Sequence, residues 1–338
     1  AATTKVIAQV ANLKPVKQAW RLVAAAPEIL ERQPDAVFLL LGEGPCEAEL
    51  RAQVCDLALE PRVRFTRWSD HASIPDVLAL AEIETPEPRP QELLIKVTAA
   101  GVNGPDLVQR RGHYPPPEGA SPHLGLEVSG EVVALGSEVT QWSLGDRVVA
   151  LTNGGGYAEY VAVDAAHCLP VPAGVSEIDA AGLPETFFTV WSNVFHNHTL
   201  PADGVFLVHG GAGGIGSTAI QLGHALGLKV LTTVADDEAA EFVKDLGATR
   251  AINFKEEDFV ALTRESGGAD IILDIIGGDY IGRNIKAASP DARIIQLAFN
   301  AGSKVEINLM PIMLKRLSYT GSTLRSRPDA FKTEVATA

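Results

Sequence analysis

Residues 205–223, VFLVHGGAGGIGSTAIQLG, constrain the fold more than any other stretch of the chain. An apolar run of strand length leads straight into a glycine cluster, and Ile215, Ala219, Leu222 and Leu226 then recur at helical spacing. Gly211, Gly213 and Gly216 fit the pattern G-x-G-x-x-G, and a second strand-like run, KVLTTVA (229–235), ends about twenty residues on, as a dinucleotide fingerprint requires. In that reading Gly211 makes the turn and Gly213 lets the backbone approach a pyrophosphate. Gly216 lets the helix pack against the sheet, and the amides around Ala212, Gly214 and Ile215 face the phosphates. The alternative is a tight strand-to-helix turn that holds no ligand.

Strand–helix alternation continues from there through a helix at 237–246, INF (252–254), IILDIIG (271–277) and ARIIQLA (292–298). A different texture precedes it. LLIKVTAAGVN (93–103), GLEVSGEVVALG (125–136), DRVVALT (146–152) and YAEYVAV (157–163) are rich in valine and punctuated by turn residues, which predicts a mainly β domain. IETPEPRPQE (83–92) carries three prolines within five residues and reads as an extended connector. Ahead of it, VIAQVA (6–11), VFLLLG (37–42) and VRF (63–65) alternate with helix-like segments at 18–33 and 47–60, a βαβαβ pattern.

With 338 residues the chain has room for more than one core, and its 46% hydrophobic and 21% charged content is that of a globular protein. A formal net charge of −14 argues against nucleic acid or an anionic membrane as the main partner. Three cysteines without metal-type spacing argue against a disulfide framework or structural zinc. No apolar run is long enough to span a bilayer, and AATTKVIAQV lacks the marks of a secretory signal, so a cytoplasmic protein is expected.

From about Pro75 onward the sequence resembles the quinone oxidoreductase branch of the zinc-free medium-chain dehydrogenase/reductases. The resemblance is carried by AAGVNGPDLVQRRGHYPPPEGAS (99–121), LGLEVSGEVVALG (124–136), NGGGYAEYVAV (153–163), LPETFFTVWSNVF (183–195), VHGGAGGIGSTAIQL (208–222) and TGSTLRSR (320–327). It implies an α/β fold with a GroES-like catalytic domain (75–180) and a Rossmann domain (181–338), following the N-terminal βαβαβ segment (1–74). It further implies hydride transfer from NADH or NADPH to a quinone or activated enone, and a possible homodimer through the edge of the Rossmann sheet around ILDII to IIQLA.

Zinc-dependent relatives carry a cysteine ligand where this chain has Asn103, and Gly-His-Glu where it has Gly125-Leu126-Glu127. Leucine cannot ligate and asparagine is a poor substitute for a thiolate, so no zinc is expected, and His113, His123, His196 and His198 do not complete a metal spacing. By resemblance Asn103 lies beside the nicotinamide and Tyr114 at the substrate end of the cleft. Tyr114 is then either a proton or hydrogen-bond donor or a packing residue before the prolines. Thr189 either approaches the nicotinamide or bonds its own helix. Asp106 reads as a cap, and Gly154 to Gly156 as a flexible turn. Gly277, Gly278, Phe299 and Asn300 follow strands, where open α/β sheets bind ligands.

The family's usual readers of a 2′-phosphate are a serine, a lysine and a tyrosine, and this chain has Asp236, Ala239 and Phe254 at the corresponding positions. A carboxylate near a phosphate costs roughly 1–4 kcal/mol at a solvated surface, which predicts a shift toward NADH. Lys229, Arg250 and Lys255 are the cations that would oppose it, and a solvated acidic helix start is the plain alternative for Asp236.

Residues 1–74 resemble instead part of the C-terminal nucleotide-sugar domain of a retaining, two-Rossmann glycosyltransferase, through VANLKPVKQ (10–18), FLLLGEGPCEAELRAQV (38–54) and RVRFTRW (62–68). That likeness implies a diphosphate-binding role for Lys17 and a cleft-lining turn at Gly42 and Gly44, although Gln18 replaces the usual glycine. It also marks the chain as a chimera. Oxidoreductases of the family extend further on both sides, so open sheet edges are expected here. Two alternatives to the reductase therefore stand: a non-catalytic nicotinamide-nucleotide binder, and a sugar-nucleotide binder acting through residues 1–74.

Overall fold

The structure is a computed structural model that describes residues 6–10, 19–32, 37–41, 47–59, 62–66 and 83–338. It divides into two compact units, Ala1–Glu84 and Thr85–Ala338. In the first, strands β1 (Val6–Val10), β2 (Val37–Leu41) and β3 (Val63–Thr66) form a parallel sheet in that order. They alternate with helices α1 (Ala19–Arg32) and α2 (Glu47–Asp56), and Val23, Ala26, Leu50 and Val54 are buried. Lys17, Gln18, Gly42 and Gly44 lie outside the described residues.

The second unit opens with β4 (Glu92–Ala100), helix α3 (Gly104–Arg110), β5 (Glu127–Leu135), β6 (Arg147–Leu151), β7 (Tyr160–Asp164) and β8 (Cys168–Pro170). These strands make an antiparallel sheet in the order β7-β4-β5-β6-β8. Its alternating inward residues, among them Leu93, Ile95, Val128, Val132, Val148 and Val161, fill a core of their own, as period-two patterning dictates.

Two short helices, α4 (Glu177–Ala180) and α5 (Pro184–Val190), lead to a π-helical turn at Trp191–Phe195. Then come β9 (Val205–His209), α6 (Gly214–Ala225), β10 (Lys229–Val234), α7 (Asp237–Asp245), β11 (Arg250–Asn253) and α8 (Phe259–Glu265). The chain continues through β12 (Ala269–Asp274), α9 (Tyr280–Ala287), β13 (Ala288–Gln296), α10 (Met310–Lys315), β14 (Ser318–Gly321) and α11 (Asp329–Thr337). The six strands form a parallel sheet in the order β11-β10-β9-β12-β13-β14. Strand β9 is apolar from Val205 to Val208 because both its faces are covered, and the buried His209 that ends it is hydrogen-bonded to Thr233 and Asn284. Phe206 and Val208 enter one core with Ala219, Ile220 and Val230, while Val205 and Leu207 enter the other with Phe259, Ile272 and Ile285. Truncating the fully buried Phe206 to alanine would cost about 3–5 kcal/mol.

The expected α/β architecture, with a mainly β half and a dinucleotide-type half, is what the chain forms. Strand order reverses at β9, whose neighbours are β10 on one side and β12 on the other. The glycine turn thus emerges at the topological switch point, where such sheets bind ligands. The region from ILDII to IIQLA is not an edge as expected: β12 and β13 lie inside the sheet, and β14 forms that edge. No helix among the described residues is long and apolar enough to cross a membrane.

Candidate active site

The glycine turn is shaped by neighbouring atoms, side chain at Gly211 and backbone at Gly216, that come close to its own backbone. A Cβ on Gly211 would stand 2.2 Å from Thr232 Oγ1, and one on Gly216 would stand 2.2 Å from the Gly210 carbonyl oxygen. Gly213, the residue before α6, is different: the nearest atom to its Cβ would be the Gly210 carbonyl oxygen at 3.4 Å, an ordinary contact distance, so nothing there crowds the backbone. The first-turn N–H groups of Gly214, Ile215 and Gly216 have no acceptor within their helix, and Ala212 precedes them on the same turn. An uncrowded glycine beside a row of amides at a helix N-terminus fits a dinucleotide's pyrophosphate. At the next strand ends, the Asp274 carboxylate accepts from the amides of Ile276 and Gly277, while Asn300 N donates to the Ile275 carbonyl. Gly277 is buried there, whereas Phe299 and Asn300 are exposed along the rim.

Asp236 caps α7, its Oδ1 accepting from Ala239 N at 2.9 Å, and its side chain is exposed. The helix-start reading of Asp236 therefore holds, and its second carboxylate oxygen makes no bond with a described residue. Phe254 follows the last residue of β11 and is 43% exposed. Of the three cations near this region in sequence, Lys229 and Arg250 open β10 and β11, at the end of the sheet opposite the glycine turn. Arg250 is also paired with Glu257. Only Lys255 lies beyond the C-terminal end of its strand.

The glycine turn meets the β half through α5. Thr218 on α6 donates to Thr186 Oγ1 at 3.1 Å, and a Cβ on Gly214 would stand 3.3 Å from the Thr186 methyl. It is Thr186, rather than Thr189, whose hydroxyl lies against its own helix, 3.4 Å from the carbonyls of Gly182 and Leu183. Thr189 is partly buried, and its carbonyl accepts from Ser192 and Asn193 in the π-helical turn.

Beside α5 lies a cluster of acids. Asn103 precedes α3 and donates its side-chain amide to Glu127 Oε1 at 2.7 Å. Glu127 Oε2 accepts from Glu185 N at 2.8 Å, at the start of α5. Gly101 must be glycine, since a Cβ there would overlap Glu127 Oε1. Asp106 accepts from Asn103 N at 2.9 Å, the capping role expected of it, and also from Gly125 N and the Tyr157 hydroxyl. Asp106 and Glu127 are each 2% exposed. Burial raises Asp106 from its ordinary value despite these donors. It pushes Glu127 up to about 7, with the Asn103 and Glu185 donors opposing. It pushes Glu185 up to about 8, helped by the neighbouring charges of Glu127 and Asp106.

A cationic arm faces the acids from the loop after β14. Arg325 donates to the Asn153 carbonyl and, at 2.6 Å, to Gln109 Oε1, and its guanidinium carbon lies 5.3 Å from the centre of the Tyr114 ring. Lys332 on α11 is 2% exposed and donates to Asn153 Oδ1 and to the Arg325 carbonyl. Burial lowers both cations from their ordinary values and raises the Tyr114 phenol. Gly154 to Gly156 form the turn expected, but it is buried and packed against Ser121, His123 and Arg325 rather than standing free.

His113 and His123 are exposed, and His196 pairs with Glu334. Leu126 is buried beside Asn103's partner Glu127, and the polar groups gathered around Asn103 among the described residues are acids and its own carboxamide. The structure thus brings Asn103, Tyr114 and the start of α5 to one cleft. Glu185, Arg325, Lys332 and Tyr157 join them without having been singled out in the sequence. The available signal was charge in apolar company: Glu185 stands in LPETFF, and Glu127 between Leu126 and Val128.

Residues 89–173 match the model of the alcohol dehydrogenase GroES-like domain and residues 214–338 that of zinc-binding dehydrogenases, while residues 4–84 match glycosyl transferases group 1. The quinone oxidoreductase of Sus scrofa is 32% identical over 263 residues, covering 75% of this chain and 78% of that protein. The human quinone oxidoreductase is likewise 32% identical, over 260 residues and with the same coverage. Among solved structures, Escherichia coli quinone oxidoreductase complexed with NADPH superimposes with a TM-score of 0.66 at 28% identity, covering 76% of this chain and 81% of that one.

Proposed function

Since the chain belongs to the quinone oxidoreductase family of the medium-chain dehydrogenase/reductases and is an NAD(P)H-dependent oxidoreductase, we propose that it reduces quinones or activated enones without a metal. The observation that carries this reading is the Asn103–Glu127–Glu185 cluster. A catalytic zinc would need ligands of the cysteine and histidine kind, and the cleft offers a carboxamide already engaged and carboxyls shifted toward their neutral form. Without a Lewis acid, the acceptor must already be polarised, as quinones and enones are.

A reduced nicotinamide supplies the hydride when bound. The turn at Gly211–Gly216 holds the pyrophosphate, and Asn103, Thr189, Gly277, Phe299 and Asn300 frame the approach to the ring. Tyr114 and Arg325 line the acceptor's end of the cleft. The test is cofactor oxidation with 9,10-phenanthrenequinone or 1,2-naphthoquinone, expected to be rapid and quinone-dependent. A protein that binds the cofactor and oxidises none of it with either quinone is the non-catalytic binder instead.

The same reading favours NADH. Asp236 stands where a 2′-phosphate would have to sit, and two of the three candidate cations lie at the far end of the sheet. Asp236→Ser keeps an α7 cap and removes the charge. It should raise the ratio of kcat/KM for NADPH over NADH by about tenfold, from a wild-type value below one. A wild-type ratio well above one would overturn the preference.

A further inference from the structure

We propose that Glu185 is the proton donor of this reduction, handing its carboxyl proton to the acceptor's carbonyl oxygen as the hydride arrives; the inference rests on the quinone or enone reading above. Glu185 sits between the two halves of the site. On one side its neighbour Thr186 lies against α6 at the glycine turn. On the other its backbone amide is fastened to Glu127, whose second oxygen holds Asn103. The Glu185 backbone is thus held by Glu127 on the side of the β half, while its neighbour Thr186 packs on α6.

Its carboxyl is not pinned. Asp106 accepts three hydrogen bonds and Glu127 two, but the Glu185 carboxyl has no hydrogen-bond partner among the described residues. The residue is partly exposed, so that the carboxyl has both a protein wall and an open side. The charged and titratable groups acting on it are Glu127 and Asp106 from the β half, and Arg325 and Lys332 from the post-β14 loop and α11. Tyr114 is its neighbour across the cleft.

That surrounding decides which group gives the proton. Burial and two acidic neighbours keep Glu185 protonated at neutral pH, with its value near 8 matched to proton transfer at that pH. The same burial, together with the Glu185 charge, raises the Tyr114 phenol above its ordinary value, so Tyr114 is the poorer acid and serves to orient the acceptor. After transfer, Arg325 and Lys332 stabilise the Glu185 carboxylate. The step balances: the O–H bond of Glu185 breaks and one forms on the substrate, which gains a hydride and a proton, two electrons in all. The nicotinamide is the species oxidised, and the Glu185 carboxylate takes its next proton from solvent.

Infrared difference titration of the protein alone should show a protonated carboxylic band lost with a midpoint of about 8. The band should be absent in Glu185→Gln and kept in Glu127→Gln. With 9,10-phenanthrenequinone, Glu185→Gln should lower kcat roughly 100-fold and abolish the fall in rate above about pH 8, while Glu185→Asp restores part of both. The NADH dissociation constant, read by fluorescence, should change less than about threefold. A Glu185→Gln enzyme with wild-type kcat and an unchanged basic limb overturns the proposal, as does a carboxyl already ionised at neutral pH. Should Glu185→Gln fail to fold, a wild-type kcat without a solvent deuterium isotope effect overturns it equally. Absence of quinone-dependent turnover in the wild-type protein refutes the underlying reading, whereas an active wild type with an unaffected variant refutes only the role of Glu185.

Discussion

Alanine at Gly213 and alanine at Gly216 should damage the protein in different ways, although the two glycines are three residues apart. At Gly216 the added Cβ would stand 2.2 Å from the Gly210 carbonyl oxygen and 2.7 Å from Gly211 Cα. Both are backbone atoms, so α6 has to move off its turn by about 1 Å. Overpacking of this kind costs roughly 1–3 kcal/mol, and a domain of this size loses about 2–4 °C of melting temperature per kcal/mol. At Gly213 the nearest atom would be 3.4 Å away, and φ −82°, ψ 168° suits alanine. Stability should therefore stay within about 0.5 kcal/mol. The methyl group would nevertheless occupy the face on which the pyrophosphate meets the amides. Losing one hydrogen bond to a charged group costs roughly 1.5–3 kcal/mol, or about 10- to 100-fold in affinity. Differential scanning fluorimetry with an NADH fluorescence titration separates the two effects. A Gly213→Ala protein with wild-type affinity, or one that loses stability as Gly216→Ala does, would refute the assignment of an open cradle beside Gly213.

The raised carboxyls make the second unit's stability depend on pH. Between about 4.5, where a carboxyl titrates in the unfolded chain, and the folded values of about 7 for Glu127 and 8 for Glu185, the folded state holds more protons. Stability from these groups is complete below 4.5 and lost as pH rises through 7 and 8, by roughly 3 kcal/mol for Glu127. Melting temperature should fall between pH 5.5 and about 8.5, and Glu127→Gln with Glu185→Gln should flatten the slope; an upward slope contradicts the burial argument. A separate expectation concerns association. Edge strand β14, helix α10 and the residue before it expose Tyr319, Leu309, Met310, Met313 and Leu314, which fits a homodimer through that edge. Sedimentation velocity should show a dimer for the wild type and a monomer for Met313→Glu with Leu314→Glu, and a wild-type monomer at micromolar concentration would count against it.

The dinucleotide half was legible in the sequence because its determinants are local. A strand covered on both faces is apolar along most of its length, and a turn whose own backbone would lie 2.2 Å from an added Cβ, as at Gly216, favours glycine. Both facts leave marks within a dozen residues. The cleft was half legible. Asn103 and Tyr114 stand out through their motifs, while no motif marks Arg325 or Lys332 and only its apolar neighbours mark Glu185. The burial of Arg325 and Lys332 and the partial burial of Glu185 are tertiary facts, created when residues from 103 to 332 meet at one place. Lys229 and Arg250 show the converse. They are near the cofactor strands in sequence, yet a parallel strand separates them from the binding edge by its whole length.

The bonds from Arg325 and Lys332 to Asn153 cross from the dinucleotide half to the β half, and they fasten the lip of the cleft. They act as a latch whose two fingers are also the positive charges nearest the Glu185 acid. A carboxylate formed beside them is stabilised by their charge, so the same two side chains that join the halves also set how readily Glu185 gives up its proton.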